Sequence, residues 1–139
     1  MRPVGLVLWA LIAIAVSAGA AASAAAKPSL RDQSEIDEGL TAIAVADMIR
    51  KNCDSIEPRM LRAYGFMRSL RSRANDLGYS DDEIRAYVKD KAEKKRVAAQ
   101  ARRYLKAQGV ALDRPQSYCP AGHAEIERKS QAGVLLRAR

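Results

Sequence analysis

The sequence predicts a small all-α protein: a bundle of about four helices, stapled by one disulfide and preceded by a signal-peptide helix. Three observations carry that reading. Residues 1–26 have the layout of an export signal. Beyond them, apolar residues recur at three-to-four spacing between helix-stopping glycines. Finally, the only two cysteines, Cys53 and Cys119, both follow the signal.

The signal is read in three parts. Arg2 supplies the positive start, and residues 4–16 (VGLVLWALIAIAV) supply an apolar core. Residues 17–26 (SAGAAASAAA) offer small-x-small cleavage sites, among them Ala18-Gly19-Ala20, Ala22-Ser23-Ala24 and Ala24-Ala25-Ala26. The rival is an uncleaved membrane anchor, since an uncharged stretch above ~18 residues can span a bilayer. Its second half is alanine, which transfers weakly into lipid, so cleavage is the expected outcome. Either way the rest of the chain faces the exported, periplasmic side. The expected organisation is a signal at 1–26, a polar linker at 27–34 (KPSLRDQS) and a helical domain at 35–139.

The formal charge is +8, falling to +7 without Arg2. Outside a cell, such a charge suits an acidic protein face, anionic lipid or cell-wall polymer rather than nucleic acid. The plain alternative is a soluble surface with no partner. Beyond residue 26 the chain has no Trp and one Phe, Phe66, which gives no platform for stacking bases or sugars.

In an oxidising compartment the two cysteines are expected to pair, closing a loop of 67 residues from 53 through 119. Chain entropy assigns such a loop roughly 4 kcal/mol, usually reduced by strain. No Cys-x-x-Cys motif supports redox catalysis. A metal held by Cys53, Cys119 and His123 would lack a fourth ligand, so neither metal nor cofactor is expected.

The first helix is expected from Glu35 to Asn52, with Ser34 or Asp32 as its cap. Its stretch 39–49 (GLTAIAVADMI) is apolar on nearly every side, which places it at the centre of the fold. Asp47, the one charge there, falls near Ile36, Leu40 and Ile43 and should pair with an arginine at the core's edge. A second helix is expected to begin near Pro58, with Ser55 or Asp54 upstream as its cap. Leu61, Met67, Leu70, Ala74 and Leu77 form its core stripe, with Met60 and Tyr64 alongside. Arg62, Arg68, Arg71 and Arg73 cover its other faces, and Gly78 ends it.

Ser80-Asp81-Asp82-Glu83 is a capping box opening a third helix, from Asp81 towards Gln108 and ended by Gly109. The string LGYSDDEI resembles a helix-turn-helix, but capping chemistry accounts for those letters. The core register of this helix runs through Ile84, Tyr87 and Val88, then through Lys91, Lys94 and Lys95, then through Ala98, Ala101 and Leu105. Three cations in an apolar stripe mean one of two things. Either the helix bends or breaks within 90–96, with lysine stems lying along apolar surface. Or the turn projects, and Lys89, Lys91, Lys94, Lys95 and Arg96 form a basic surface for an anionic partner.

After Gly109 a loop over 110–116 leads to a C-terminal element opened by Tyr118 and Cys119. A short helix is expected over 124–129, with Ser130 capping a last turn through 133–136. The lone histidine, His123, sits in a Gly-His-Ala context, and neither Ser117 nor Ser130 has an evident acid or base partner. No phosphate-binding glycine loop, paired-carboxylate motif or zinc-helix motif is present. Catalysis is therefore not expected.

The blocks AVADMIRKNCDSI (44–56), GYSDDEIRAYVKDKAEK (78–94) and SYCPAGHAEI (117–126) carry a resemblance. They are similar to a domain-of-unknown-function family of small exported helical bacterial proteins with two cysteines. The resemblance spans most of 35–137, and the place of each cysteine within its block is its most specific part. It supplies no catalytic residues. Genes for members of that family lie among those for the proton-pumping NADH dehydrogenase, which implies an accessory role near that membrane complex. A looser likeness of architecture links the chain to periplasmic acid-stress chaperones and to immunity proteins against secreted toxins. The leading expectation is a non-catalytic periplasmic binding or accessory protein with a basic helical surface. The alternatives are a stress chaperone or toxin-neutralising protein, and a respiratory-complex accessory.

Overall fold

Helix α1 (Ser34–Asn52) lies at the centre of the computed structural model, which describes residues 26–139. The expected export segment falls outside the described residues except for its final alanine. As its apolar composition requires, α1 is covered on several sides: Ile36, Gly39, Ala42, Val45, Ala46 and Ile49 are all buried. Its N-cap is Gln33, without a side-chain hydrogen bond. Asp32 instead forms a capping box with Ser29 around a short 3-10 turn, Leu30–Asp32. That turn corrects the linker reading. Leu30 is buried against Ile36, Leu70, Ala74 and Tyr79, and one leucine in a polar stretch is enough to dock it. Tyr79 adds a hydrogen bond from its hydroxyl to the Pro28 carbonyl at 2.6 Å.

The chain after α1 departs from expectation. Pro58 belongs not to a helix but to β1 (Ile56–Pro58), which pairs antiparallel with β2 (Leu136–Ala138). Ile56 and Leu136 are both buried, and extending the backbone here buries both. Helix α2 (Met60–Asp76) starts two residues later, with Arg59 as N-cap and no cap from Ser55 or Asp54. Its buried face keeps Leu70, Ala74 and the half-buried Leu77 of the expected stripe but not Leu61 or Met67. Leu70 and Ala74 point inward with the half-buried Ala63 and Phe66, whereas Leu61, Met60, Tyr64 and Met67 are exposed. Gly39 of α1 lets Leu70 approach closely, its Cδ2 standing 2.5 Å from where a Cβ on residue 39 would lie.

Gly78 ends α2 at φ 92°, and the Ser80–Glu83 capping box opens α3 (Asp81–Lys89), both as expected. The long third helix is broken. Asp90 is extended (φ −61°, ψ 128°), and its carboxylate accepts from the Glu93 amide at 2.8 Å to cap α4 (Lys91–Ala107). Helices α1 and α4 lie side by side in the same direction, Asp37 meeting Arg96 and Gln100 while Thr41 meets Gln100. Gly109, at φ 87°, follows α4.

Helix α5 (Tyr118–Glu127) begins earlier than expected and carries Cys119 in its first turn. The Cys53–Cys119 disulfide, 2.02 Å long, ties that turn to the end of α1. Ser130 caps the turn beyond α5, its Oγ accepting from the Gly133 amide at 3.0 Å. The larger core cluster surrounds Val45, Ile49, Ala101, Leu105 and Leu136, and a smaller one surrounds Leu30, Ile36, Leu70 and Tyr79. Among the described residues, no helix is long and apolar enough to cross a membrane.

Candidate functional site at the α3–α4 elbow

The break at Asp90 turns the interrupted stripe into an elbow. Lys89 closes α3, Lys91 opens α4, and Lys94 and Lys95 follow within its first turns. All four are exposed, and none has an acidic partner among the described residues. They are the part of the expected basic surface that the fold leaves open.

Arg96 does not belong with them. It lies on the α1-facing side of α4, three residues from Glu93 and four from Gln100, and its guanidinium is spent inside the fold. It donates to Asp37 at 2.5 Å, Glu93 at 2.8 Å, Tyr87 at 2.9 Å and Gln100 at 3.0 Å. The Asp37 bond comes first among the causes that raise its pKa above the ordinary value for an arginine. Burial by itself would raise the Asp37 carboxyl. Hydrogen bonds from Arg96 and Gln100, and the charges of Arg96 and Arg31, outweigh burial and hold it below its ordinary value. Glu93 is buried and also pairs with Arg31, beside the docked N-terminal turn. One arginine therefore fixes the angle at which α3, α4 and α1 meet.

Beside the elbow, a groove of about 440 Å³ runs between α1 and α4. Leu40, Ile43, Ala44, Val97 and Ala98 form its apolar walls, with Tyr87 and Val88 at the α3 end and Lys94 and Asp47 among its charged residues. Asp47 is partly exposed, as expected, and pairs with Arg50 at 2.5 Å and Lys51 at 2.6 Å on its own helix. On the other side of the α1–α4 pair, a cavity of about 470 Å³ is lined by polar groups, including Asp37, Thr41, Gln100, Tyr104 and Ser130.

The remaining reactive side chains are few. The sulfurs of Cys53 and Cys119 are bonded to each other, which ends the reading of them as metal ligands with His123. No metal-holding group of three His, Cys, Asp or Glu occurs among the described residues. His123 is exposed, its Nε2 3.2 Å from Ser55 Oγ, with no carboxylate bonded to the ring among the described residues. Glu125 is fully buried but satisfied by the Tyr104 hydroxyl at 2.8 Å, Ser130 and Arg128. It ties α4 to the turn after α5.

Sequence reasoning missed Asp37, Glu93 and Glu125. For Glu93 a signal existed: Asp90 followed by Glu93 three residues later is a helix-start pattern, hidden by reading one long helix. Cys53 and Cys119 are joined as expected, and a disulfide of this kind belongs to an oxidising, extracellular-type environment.

No curated protein and no solved structure shows significant similarity to the chain. A family described only as being of unknown function matches residues 28–137, from the docked N-terminal segment to β2. The chain therefore belongs to that family, DUF5333.

Proposed function

We propose that this is a non-catalytic, exported binding protein whose α3–α4 elbow engages an acidic face of a partner protein in the periplasm. The observation that carries this reading is the division of labour at the elbow. Arg96 and Glu93 are consumed in holding the helices together, while Lys89, Lys91, Lys94 and Lys95 are left without acidic partners among the described residues. Placement in an exported compartment draws support from the signal-like residues 1–26 and from the disulfide.

Such a site works through charge and preorganisation. The Asp90 cap and the Arg96 clamp set the backbone angle before any partner arrives, so little backbone freedom is lost on docking. Exposed charge pairs contribute only about 0–1 kcal/mol each, so the lysines act as a set that steers encounter and sets register. Reversing three charges together, Lys91→Glu, Lys94→Glu and Lys95→Glu, is expected to abolish recovery of the partner from a crosslinked envelope fraction. Far-UV circular dichroism should be unchanged. Undiminished recovery would overturn the proposal.

A further inference from the structure

Helix α2 carries a second exposed surface, of different chemistry from the elbow. Five large apolar side chains stand out among the described residues, and four lie within two turns of α2: Met60, Leu61, Tyr64 and Met67. Leu61 is 91% exposed, at the rim of an open surface depression that Met60, Arg59, Arg62 and Arg137 also line. The fifth, Val88 of α3, lines with Met67 an apolar cleft of about 320 Å³ between the two helices. The exposed face thus runs without interruption into an apolar furrow.

The charge around this face has one dominant sign. Helix α2 bears Arg62, Arg68, Arg71 and Arg73 against one acid, Asp76, and Arg59 precedes it. Asp81 neutralises Arg71 and Glu35 neutralises Arg73. Arg59, Arg62 and Arg68 have no acidic partner among the described residues, and Arg68 lies 5.9 Å from the centre of the Tyr64 ring. Exposed Leu, Met and Tyr flanked by cations on one helix is the pattern that lies in a bilayer interface, apolar groups among the acyl chains and guanidinium groups at the phosphates.

We propose that α2 seats the protein on an anionic lipid bilayer, with Met60, Leu61, Tyr64 and Met67 in the interface and Arg59, Arg62 and Arg68 against lipid phosphates. A second copy of the chain fits poorly, because a two-fold contact through this face would set arginine against arginine. A folded partner would need a pocket shaped to the projecting Leu61, whereas a lipid surface deforms around it. The proposal rests neither on the elbow nor on the apolar residues 1–26.

A reporter on α2 itself tests this. In the full chain carrying Trp9→Phe, the substitution Leu61→Trp makes residue 61 the single tryptophan, so residues 1–26 contribute no signal. On vesicles of phosphatidylcholine and phosphatidylglycerol in equal parts, its emission is expected to shift to shorter wavelength and to be quenched by brominated acyl chains. Adding Arg62→Glu and Arg68→Glu should weaken partitioning by more than about thirtyfold, as should high salt. Residues 61, 62 and 68 are exposed, so substituting them should leave far-UV circular dichroism unchanged. The proposal is overturned by emission indifferent to these vesicles, by an equal response to phosphatidylcholine alone, or by a response only to a co-purified protein.

Discussion

Arg96 of α4 donates to Asp37 of α1 at 2.5 Å, across 59 residues of sequence, and through Tyr87 and Glu93 the same guanidinium reaches α3 and the start of α4. Truncating it by Arg96→Ala should cost about 2 kcal/mol at neutral pH, the range for a charged hydrogen bond within a fold. Asp37 has a folded pKa below its unfolded value, so its contribution is complete above the ordinary carboxylate value. It is lost as pH falls through the lowered one. The stability gap between wild type and Arg96→Ala should therefore narrow in strong acid. Urea titrations at neutral and strongly acid pH measure it, and a constant gap would count against this pairing.

The disulfide spans 66 positions and holds the end of α1 against α5. Replacing both cysteines by alanine is expected to remove about 2–4 kcal/mol, a large part of the roughly 5–15 kcal/mol typical of a domain. The midpoint of chemical unfolding, with and without reductant, reports this directly. An unchanged midpoint would mean that the loop is already constrained without the bond.

Two glycines should respond differently to alanine. At Gly133 a Cβ would run into the backbone of Glu125, which cannot turn aside, and about 3 kcal/mol should be lost. At Gly39 the obstacle is the Leu70 side chain, whose methyl groups can rotate, and alanine favours the helix by up to about 1 kcal/mol. Gly39→Ala should thus lie within about 1 kcal/mol of wild type. Thermal unfolding that ranked the two in the opposite order would contradict this packing.

Lys27 donates to Glu83 at 2.9 Å and to the Gly78 carbonyl at 3.0 Å. With the Ser80 amide as the next contributor, Lys27 brings the Glu83 carboxyl down to about 2. Because the folded value is lowered, the contact persists from neutral pH down through the usual carboxylate range and is lost only as pH approaches 2. Lys27→Ala should move the Glu83 titration up towards its ordinary value, as followed by carboxyl carbon NMR. A titration indifferent to residue 27 would place the N-terminal segment elsewhere.

The parts of this fold that depend on neighbours in sequence were legible. Ser80 and Glu83 cap each other's backbone, Gly78 and Gly109 act through their own dihedrals, and α1 declares its burial by the nearly unbroken apolar stretch 39–49. What failed depended on distant partners. The sequence of α2 places Leu70, Ala74 and Leu77 correctly but puts Leu61 and Met67 inward although they are exposed, because it does not show which side α1 covers. Pro58 has the φ of a first helical turn, yet a strand 78 residues away, at Leu136, claims it. At the candidate site, the lysines were found because an interrupted stripe is a local signal. Arg96 was grouped with them because its acceptor, Asp37, lies on another helix.

The pairing of Ile56–Pro58 with Leu136–Ala138 encloses the disulfide's two half-cystines within or beside a single long circuit of chain. Helix α1, apolar almost without a break over 39–49, draws its cover from α2, α4 and α5, and the last of these is held in place by that circuit. A polypeptide emerging from its N-terminus can bring α1, α2 and α4 together early, but the β1–β2 pairing waits for the residues near 136. A chain stopped at residue 130 should unfold at lower denaturant and be digested faster by protease than the whole chain. The arrangement sets an order: the helices can gather early, whereas the seam that fastens residues 56–58 to 136–138 closes only once β2 is present.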